Sequence, residues 1–304
     1  MTPVLDIRSL ARAWDGKPAL RDLSLTLQAG GMLGLIGPDG AGKTTAMRMA
    51  CGLLRPDGGE VRVLGLDVQR DGAAIRPLIG YMPQRFSLYP DLSVDENLRF
   101  FSELHGLSRD QRQQRRERLL AFSRLEPFTR RRAGALSGGM KQKLALACTL
   151  IHEPRLLILD EPTTGVDPVS RQEFWDLLGD LARGGMALWV STPYMDEAER
   201  CGHIQLLHQG QVIAEGRPAE LSASFPRRIL RLEGADPQAV RQLVQAFAGV
   251  VLHRFGHSLH LVCDPDQEEG LRLALRQANL EAKPQPPTLE DAFFHAVAHG
   301  SLAA

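Results

Sequence analysis

Apolar and polar residues alternate through 4–10 and again through 19–27, where Leu23, Leu25 and Leu27 fall on one face. Both stretches predict half-buried strands. Residues 32–36 form a short continuous apolar run that feeds a glycine-rich turn, and 44–54 then read as a helix, closed by Arg55-Pro56-Asp57-Gly58-Gly59. Strands follow at 61–64 and 79–82. From about 93 to 150 the pattern turns helical, with Ser93 and Ser108 placed as N-caps. The runs 156–159 and 187–190 are wholly apolar, with a helix at 169–183 between them. That β–α–β order predicts a parallel sheet. Residues 204–207 and 212–214, joined through Gln209-Gly210, predict a hairpin.

The pattern breaks at 222–227, where Ser222, Ser224 and Pro226 intervene. The expected organisation is a domain over 1–222, with a helical subdomain at about 88–150, and a second domain over 227–304. The tail reads strand 229–233, helix 237–247, strands 250–255 and 258–263, helix 267–277, strand 280–284 and a last helix at 288–299. The order βαββαβ predicts a small ferredoxin-like accessory domain of α+β class. The last helix gathers Leu289, Ala292, Phe293 and Ala296 on one side, the pattern of a plain docking helix.

Charge and composition narrow the function classes. Lys+Arg and Asp+Glu both number 36, so no excess of positive charge points to nucleic acid as a partner. The arginines between Arg109 and Arg118, and Arg130-Arg131-Arg132 beyond, read as a solvated helix face, with no interleaved aromatics to stack on bases. No apolar run approaches the ~18–20 residues needed to span a bilayer, and residues 1–10 lack the apolar core of a signal peptide. The expected location is cytoplasmic, with any membrane role exercised through a partner. Cys51, Cys148, Cys201 and Cys263 are scattered and read as buried free thiols.

The chemistry begins at Gly37-Pro38-Asp39-Gly40-Ala41-Gly42-Lys43-Thr44, which fits G-x-x-x-x-G-K-[ST] between a predicted strand and a predicted helix. Glycines let successive backbone N–H groups turn toward phosphate oxygens, and the helix start adds roughly half a positive charge. Lys43 supplies a full charge to the terminal phosphates, and the Thr44 hydroxyl is placed for Mg2+. Thr45 extends the cradle. Asp160 closes the apolar run 156–159, where a strand end reaches the ligand crevice, and is the second candidate metal residue. Glu161 follows directly, as a candidate to polarise an attacking water.

A second anion-seeking helix start appears at Leu136-Ser137-Gly138-Gly139-Met140, with Ser137 as N-cap. Together with the phosphate loop it resembles the signature of the ATP-binding cassette (ABC) family, and the resemblance extends over about the first 220 residues. Trp14 stands where that family places an aromatic on adenine. Gln84 in Tyr81-Met82-Pro83-Gln84 is similar to its Q-loop, a metal and catalytic position. Gly165-Val166-Asp167 is similar to its D-loop. The resemblance implies an α/β P-loop NTPase core with a helical subdomain and an antiparallel β edge. It implies ATP and Mg2+ as ligands, with Lys43, Gln84 and Glu161 catalytic. It also implies two cassettes packed head to tail, so that Ser137, Gly138 and Gly139 contact ATP held by the opposite copy.

One departure stands out. The family usually carries a histidine after the strand matched by 188–191, whereas this chain reads Ser191-Thr192-Pro193-Tyr194. Locally, Thr192 reads as a helix cap with Pro193 at the first helical position. A proline donates no hydrogen bond to a γ-phosphate, and by analogy with a lost oxyanion donor the cost is ~3 kcal/mol, about a hundredfold in rate. His203 lies past the next helical turn and does not substitute. The expectation is a site that binds ATP but turns it over slowly, in a heterodimer in preference to a homodimer. The signature run 136–143 and the tail 287–293 resemble exporter cassettes with separate transmembrane permease subunits, which places the chain peripherally on the cytoplasmic face of the membrane. The competing expectations are a soluble ABC ATPase of translation or DNA repair and a non-hydrolysing ATP-binding regulator.

Overall fold

The computed structural model describes residues 2–85, 88–255 and 258–299. The chain divides into two compact units, 1–218 and 219–304. The division precedes the break expected at 222–227. Ser222 belongs to a short helix, Pro218–Ala223, that already opens the second unit, and the serine and proline run marks the end of that helix.

The first unit is built on a six-stranded sheet. Its order is Gln211–Gly216, His203–His208, Met32–Ile36, Ala187–Thr192, Leu156–Asp160, Ile79–Met82. All neighbours pair in parallel except the first two, the expected hairpin. Leu156–Asp160 and Ala187–Thr192 are buried along their whole length, which is why neither shows alternation. An antiparallel sheet, ordered Lys17–Leu27, Leu5–Trp14, Gly58–Val63, Leu66–Asp67, shares one core with the parallel sheet. The helix Lys43–Ala50 supplies Ala46, Met47, Met49 and Ala50 to that core. It is shorter than the expected 44–54, because Gly52 turns left-handed at φ 69° and Leu53 and Leu54 fold their N–H groups back onto the Arg48 carbonyl.

The helical region consists of Val94–Leu104, Arg109–Ser123 and Gly138–Leu150. Ser93 with Glu96, and Ser108 with Gln111, form reciprocal capping boxes at the first two starts. The arginines expected to be solvated are largely engaged. Arg112 pairs with Glu103 at 2.8 Å, Arg116 with Asp95, and Arg115 with Glu153 at 2.6 Å while donating to the Ile151 carbonyl at 3.0 Å. They fasten their helix to its neighbours, a role that charge patterning along one helix does not reveal.

The second unit is an antiparallel sheet ordered Val251–Phe255, Ser258–Cys263, Arg228–Glu233, Ala282–Gln285. Helices Pro237–Val244 and Glu268–Gln277 cover one face through Val240, Val244, Leu271 and Leu275 against Leu230, Leu232, Leu259 and Leu261. The last helix, Leu289–His299, sets Ala292 against Ile229 and Val262 of the other face. Leu289, Ala292, Phe293 and Ala296 are all buried, as the apolar side of a docked helix must be. Cys148, Cys201 and Cys263 are buried thiols, Cys51 is partly exposed, and all four are free. Among the described residues no helix is long and apolar enough to cross a membrane.

Candidate functional site

The phosphate loop owes its shape to two contacts with the neighbouring backbone. A Cβ on Gly37 would lie 2.2 Å from the Leu207 carbonyl oxygen, and one on Gly42 would lie 2.4 Å from that of Ala19, with φ at 111° besides. The loop therefore tucks under the hairpin strand and the antiparallel sheet, where Gly210 N–H also donates to the Ala41 carbonyl at 3.0 Å. Gly42 caps Lys43–Ala50 without a side chain, so the first N–H groups of the helix face the crevice. Pro38, Asp39 and Gly40 are exposed, Ala41 is buried, and Thr44 and Thr45 are half-buried. Lys43, 3% exposed, donates its Nζ to the Gly37 and Pro38 carbonyls at 2.7 and 2.9 Å and pairs with Glu161 Oε1 at 3.0 Å.

Asp160 and Glu161 close the neighbouring strand end, and their setting depends on a residue that sequence reasoning did not single out. Ser191 is fully buried on the adjacent strand, in register with Asp160. Its hydroxyl donates to Asp160 Oδ1 at 2.8 Å and accepts the Glu161 N–H at 3.0 Å. Glu161 itself sits at φ 49°, a conformation a side-chain-bearing residue adopts at a cost of order 1–3 kcal/mol. Burial raises the Asp160 carboxyl above its ordinary range, with the Ser191 and Thr44 hydroxyls opposing the rise. Asp160 Oδ2 is buried and lacks a hydrogen-bond partner among the described residues. An orphaned buried carboxylate oxygen beside a threonine hydroxyl suits a hard cation such as Mg2+. Gln84 donates its Nε2 to Glu161 Oε2 at 2.8 Å, which leaves its amide oxygen for that cation. Thr164 Oγ1 adds a contact to the same Glu161 oxygen at 3.3 Å.

The remaining candidates also lie in unit one. Ser137 caps Gly138–Leu150, its Oγ accepting the Met140 N–H at 3.3 Å, and Ser137 and Gly138 are exposed. Gly139 differs: it is buried, and a Cβ there would come 2.3 Å from Ser170 Cβ. One glycine keeps the helix start open, and the other admits a neighbouring helix. Asp167 is exposed and caps Pro168–Arg183 through the Ser170 N–H at 2.9 Å, a bond that lowers its carboxyl below the ordinary range. Trp14 is 48% exposed at the end of its strand, with the Arg12 guanidinium 4.5 Å from the ring centroid.

Around Pro193 the local expectation fails. Thr192 ends the strand Ala187–Thr192, and the helix starts only at Met195, capped by Tyr194 without a side-chain bond. Pro193 is thus not the first helical residue. The Thr192 hydroxyl is drawn instead to Glu197, and it accepts the Tyr194 N–H at 3.1 Å. Thr192 pairs with Ile36, and its carbonyl accepts the Gly37 N–H at 3.4 Å, so position 193 adjoins the phosphate loop. His203 is exposed at the start of the next strand.

With this geometry in hand, known proteins give the following likenesses. The family model described as ABC transporter matches residues 20–164. The chain is 41% identical over 299 residues to the probable multidrug ABC transporter ATP-binding protein YbhF of Escherichia coli, covering 95% of this chain and 51% of that protein. It therefore spans about half the length of that relative. It is 38% identical over 293 residues to the Nod factor export ATP-binding protein I of Rhizobium etli, covering 95% and 92%. Among solved structures, the ATP binding subunit of an ABC transporter is similar at 30% identity and a TM-score of 0.65, over 73% of this chain and 93% of that one. MJ0796, a bacterial ABC transporter cassette solved as a dimer, is similar at 27% identity and a TM-score of 0.63, over 70% and 98%.

Proposed function

Since this chain belongs to the ABC transporter ATP-binding family, we propose that it is the ATP-hydrolysing subunit of an exporter whose transmembrane permeases are separate chains. The observation that carries the proposal is the convergence of Lys43, Asp160, Glu161 and Gln84 on one phosphate loop. Relatives named for multidrug and Nod factor export support the exporter branch.

In this reading the loop 37–45, through its N–H groups beyond Pro38, and the Lys43 ammonium hold the phosphates of ATP. Trp14 offers its exposed ring to adenine. Thr44, Asp160 and Gln84 would hold Mg2+, which supplies charge neutralisation on the phosphates. Glu161, oriented by Gln84 and Thr164, takes the proton of the attacking water. Ser137, Gly138 and Gly139 serve the ATP of a second cassette, with Asp167 beside them. ATP then stabilises the paired state, hydrolysis releases it, and the alternation drives the permease. The second domain is read as a ferredoxin-like accessory module. The chain works peripherally on the cytoplasmic face of the membrane, and nucleic acid has no part.

Pro193 adjoins Gly37 without a donor to offer, so the site on this chain turns over slowly and pairs with a stronger site on a different cassette. The same proline favours a second reading, a non-hydrolysing regulator, which Glu161 opposes. Single-turnover hydrolysis by wild type and Pro193→His, with and without the cassette recovered from detergent-solubilised membranes, tests both. We expect Pro193→His to be about a hundredfold faster. Equal and fast rates refute the slow site, and no turnover in any pairing favours the regulator.

A further inference from the structure

Outside the phosphate site, buried charge converges on Glu197. This residue lies on the short helix Met195–Ala198 and is 2% exposed. Its Oε1 accepts the Thr163 hydroxyl at 2.6 Å and faces Arg171 Nε at 3.2 Å, while its Oε2 accepts the Thr192 hydroxyl. Arg171 also pairs with Asp196 at 2.5 Å and lays its guanidinium 4.6 Å from the Tyr194 ring centroid. Two of these partners, Thr163 and Arg171, bracket the loop that carries Gly165, Val166 and Asp167. Between them Thr164, Gly165, Asp167 and Val169 are exposed. The loop is held at both ends and open in the middle. The third partner, Thr192, touches the phosphate loop through its carbonyl.

A buried carboxylate is a costly way to join three segments if cohesion is all that is needed. Well-packed apolar side chains of similar volume are often at least as stabilising as a buried ionic group. What a carboxylate adds is direction: it accepts several donors at once along fixed lines, and charge-assisted bonds are stiff. Displacement at any one arm is therefore felt at the other two.

We infer that Glu197 is a positioning residue that locks the Thr192–Tyr194 segment to both ends of the Asp167 loop. A shift beside the phosphates at Gly37 and Thr192 is thereby passed to Asp167, and through Thr164 to the orientation of Glu161. The inference rests on the ATP-hydrolysing reading. It adds to that reading a physical link between the chain's own phosphate site and the loop offered to the second cassette. A shared carboxylate bonded to both elements is a more specific warrant for coupling than nearness alone.

The test uses the full chain with Mg·ATP. Thr163→Val and Thr192→Val each delete one donor to Glu197 at nearly constant volume, the latter also the acceptor of the Tyr194 N–H, and Thr163→Ser and Thr192→Ser restore them. Three quantities are measured: ATP affinity, single-turnover rate, and the ATP-induced change in amide exchange over 163–171. The valine variants should bind ATP within about twofold of wild type but turn it over about tenfold more slowly or worse. They should also lose the exchange response at 163–171, and the serine variants should recover both. Valine variants with wild-type turnover and response overturn the inference. So does a joint loss of binding and turnover that serine fails to restore. Wild type that binds ATP without any response at 163–171 overturns the coupling alone, and wild type that binds no ATP overturns the functional reading beneath it.

Discussion

Exchanging each signature glycine for alanine should separate folding from function. Both Gly138 and Gly139 lie in the first turn of Gly138–Leu150, so the gain in helix propensity, up to about 1 kcal/mol, is common to both variants and cancels in their comparison. The surroundings do not cancel. At Gly138 the nearest atom to a new methyl is the Gly165 oxygen at 3.8 Å, an ordinary contact. At Gly139 the methyl would meet Ser170 Cβ at 2.3 Å and Oγ at 2.4 Å, inside a buried helix crossing. Overpacking of this kind costs about 1–3 kcal/mol. At about 2–4 °C per kcal/mol for a unit of this size, Gly139→Ala should melt about 2–12 °C below Gly138→Ala. Gly138→Ala should instead fold normally and lose ATP-dependent pairing with a second cassette, because its methyl covers an exposed anion-facing helix start. Calorimetry on the two variants gives the first comparison, and size-exclusion chromatography with ATP gives the second. Ser170→Gly removes the obstructing atoms, so the pair with Gly139→Ala should show a coupling energy of about 1 kcal/mol or more. Equal melting temperatures for the two glycine variants, or no coupling with Ser170→Gly, would refute the packing argument.

Three further outcomes are expected. Gly37→Ala should fail to accumulate as soluble protein, because its Cβ meets the Leu207 backbone oxygen at 2.2 Å and backbone has little room to yield; expression at wild-type level would contradict this. Ser191→Ala should lower stability by about 1–3 kcal/mol in urea titrations, since it removes a buried donor to Asp160 and an acceptor for the Glu161 N–H; the turnover of Mg·ATP should fall with it. Asp160 has a folded-state value raised above its ordinary 3.8. The folded chain therefore holds that proton more tightly, and the stability this confers is present below pH 3.8 and lost as pH rises through the folded value. In EDTA, Asp160→Asn should thus gain on wild type in melting temperature as pH is raised from acid to neutral; a constant difference would show that the carboxyl is not titrating there.

The features legible in sequence are those fixed by neighbours along the chain. The phosphate loop was readable because strand, glycines, lysine and helix are contiguous, and Ser93, Ser108 and Ser137 because a cap acts three residues away. Ser191 and Glu197 were not. Ser191 matters because strand register places it opposite Asp160, 31 positions earlier, and Glu197 because it reaches Thr163 across 34 positions. Thr192 and Pro193 misled for the same reason: a Thr-Pro pair matches a helix start locally, but the hydroxyl finds a stronger partner in a buried carboxylate. The arginines of Arg109–Ser123 looked solvated because Glu103, Asp95 and Glu153, their partners, lie outside that helix. The apolar side of the last helix was readable from its spacing, but its partners Ile229 and Val262 were not, because they lie on strands far away in the chain.

The pair formed by Lys43 and Glu161 carries a consequence for economy of fuel. On the proposed assignment, the group that would activate water has one oxygen paired with the lysine ammonium and the other bonded by the amide of Gln84 and the hydroxyl of Thr164. A triphosphate that draws the ammonium toward its own oxygens would loosen its hold on that carboxylate, so on this assignment the fuel would itself help release the base that cuts it.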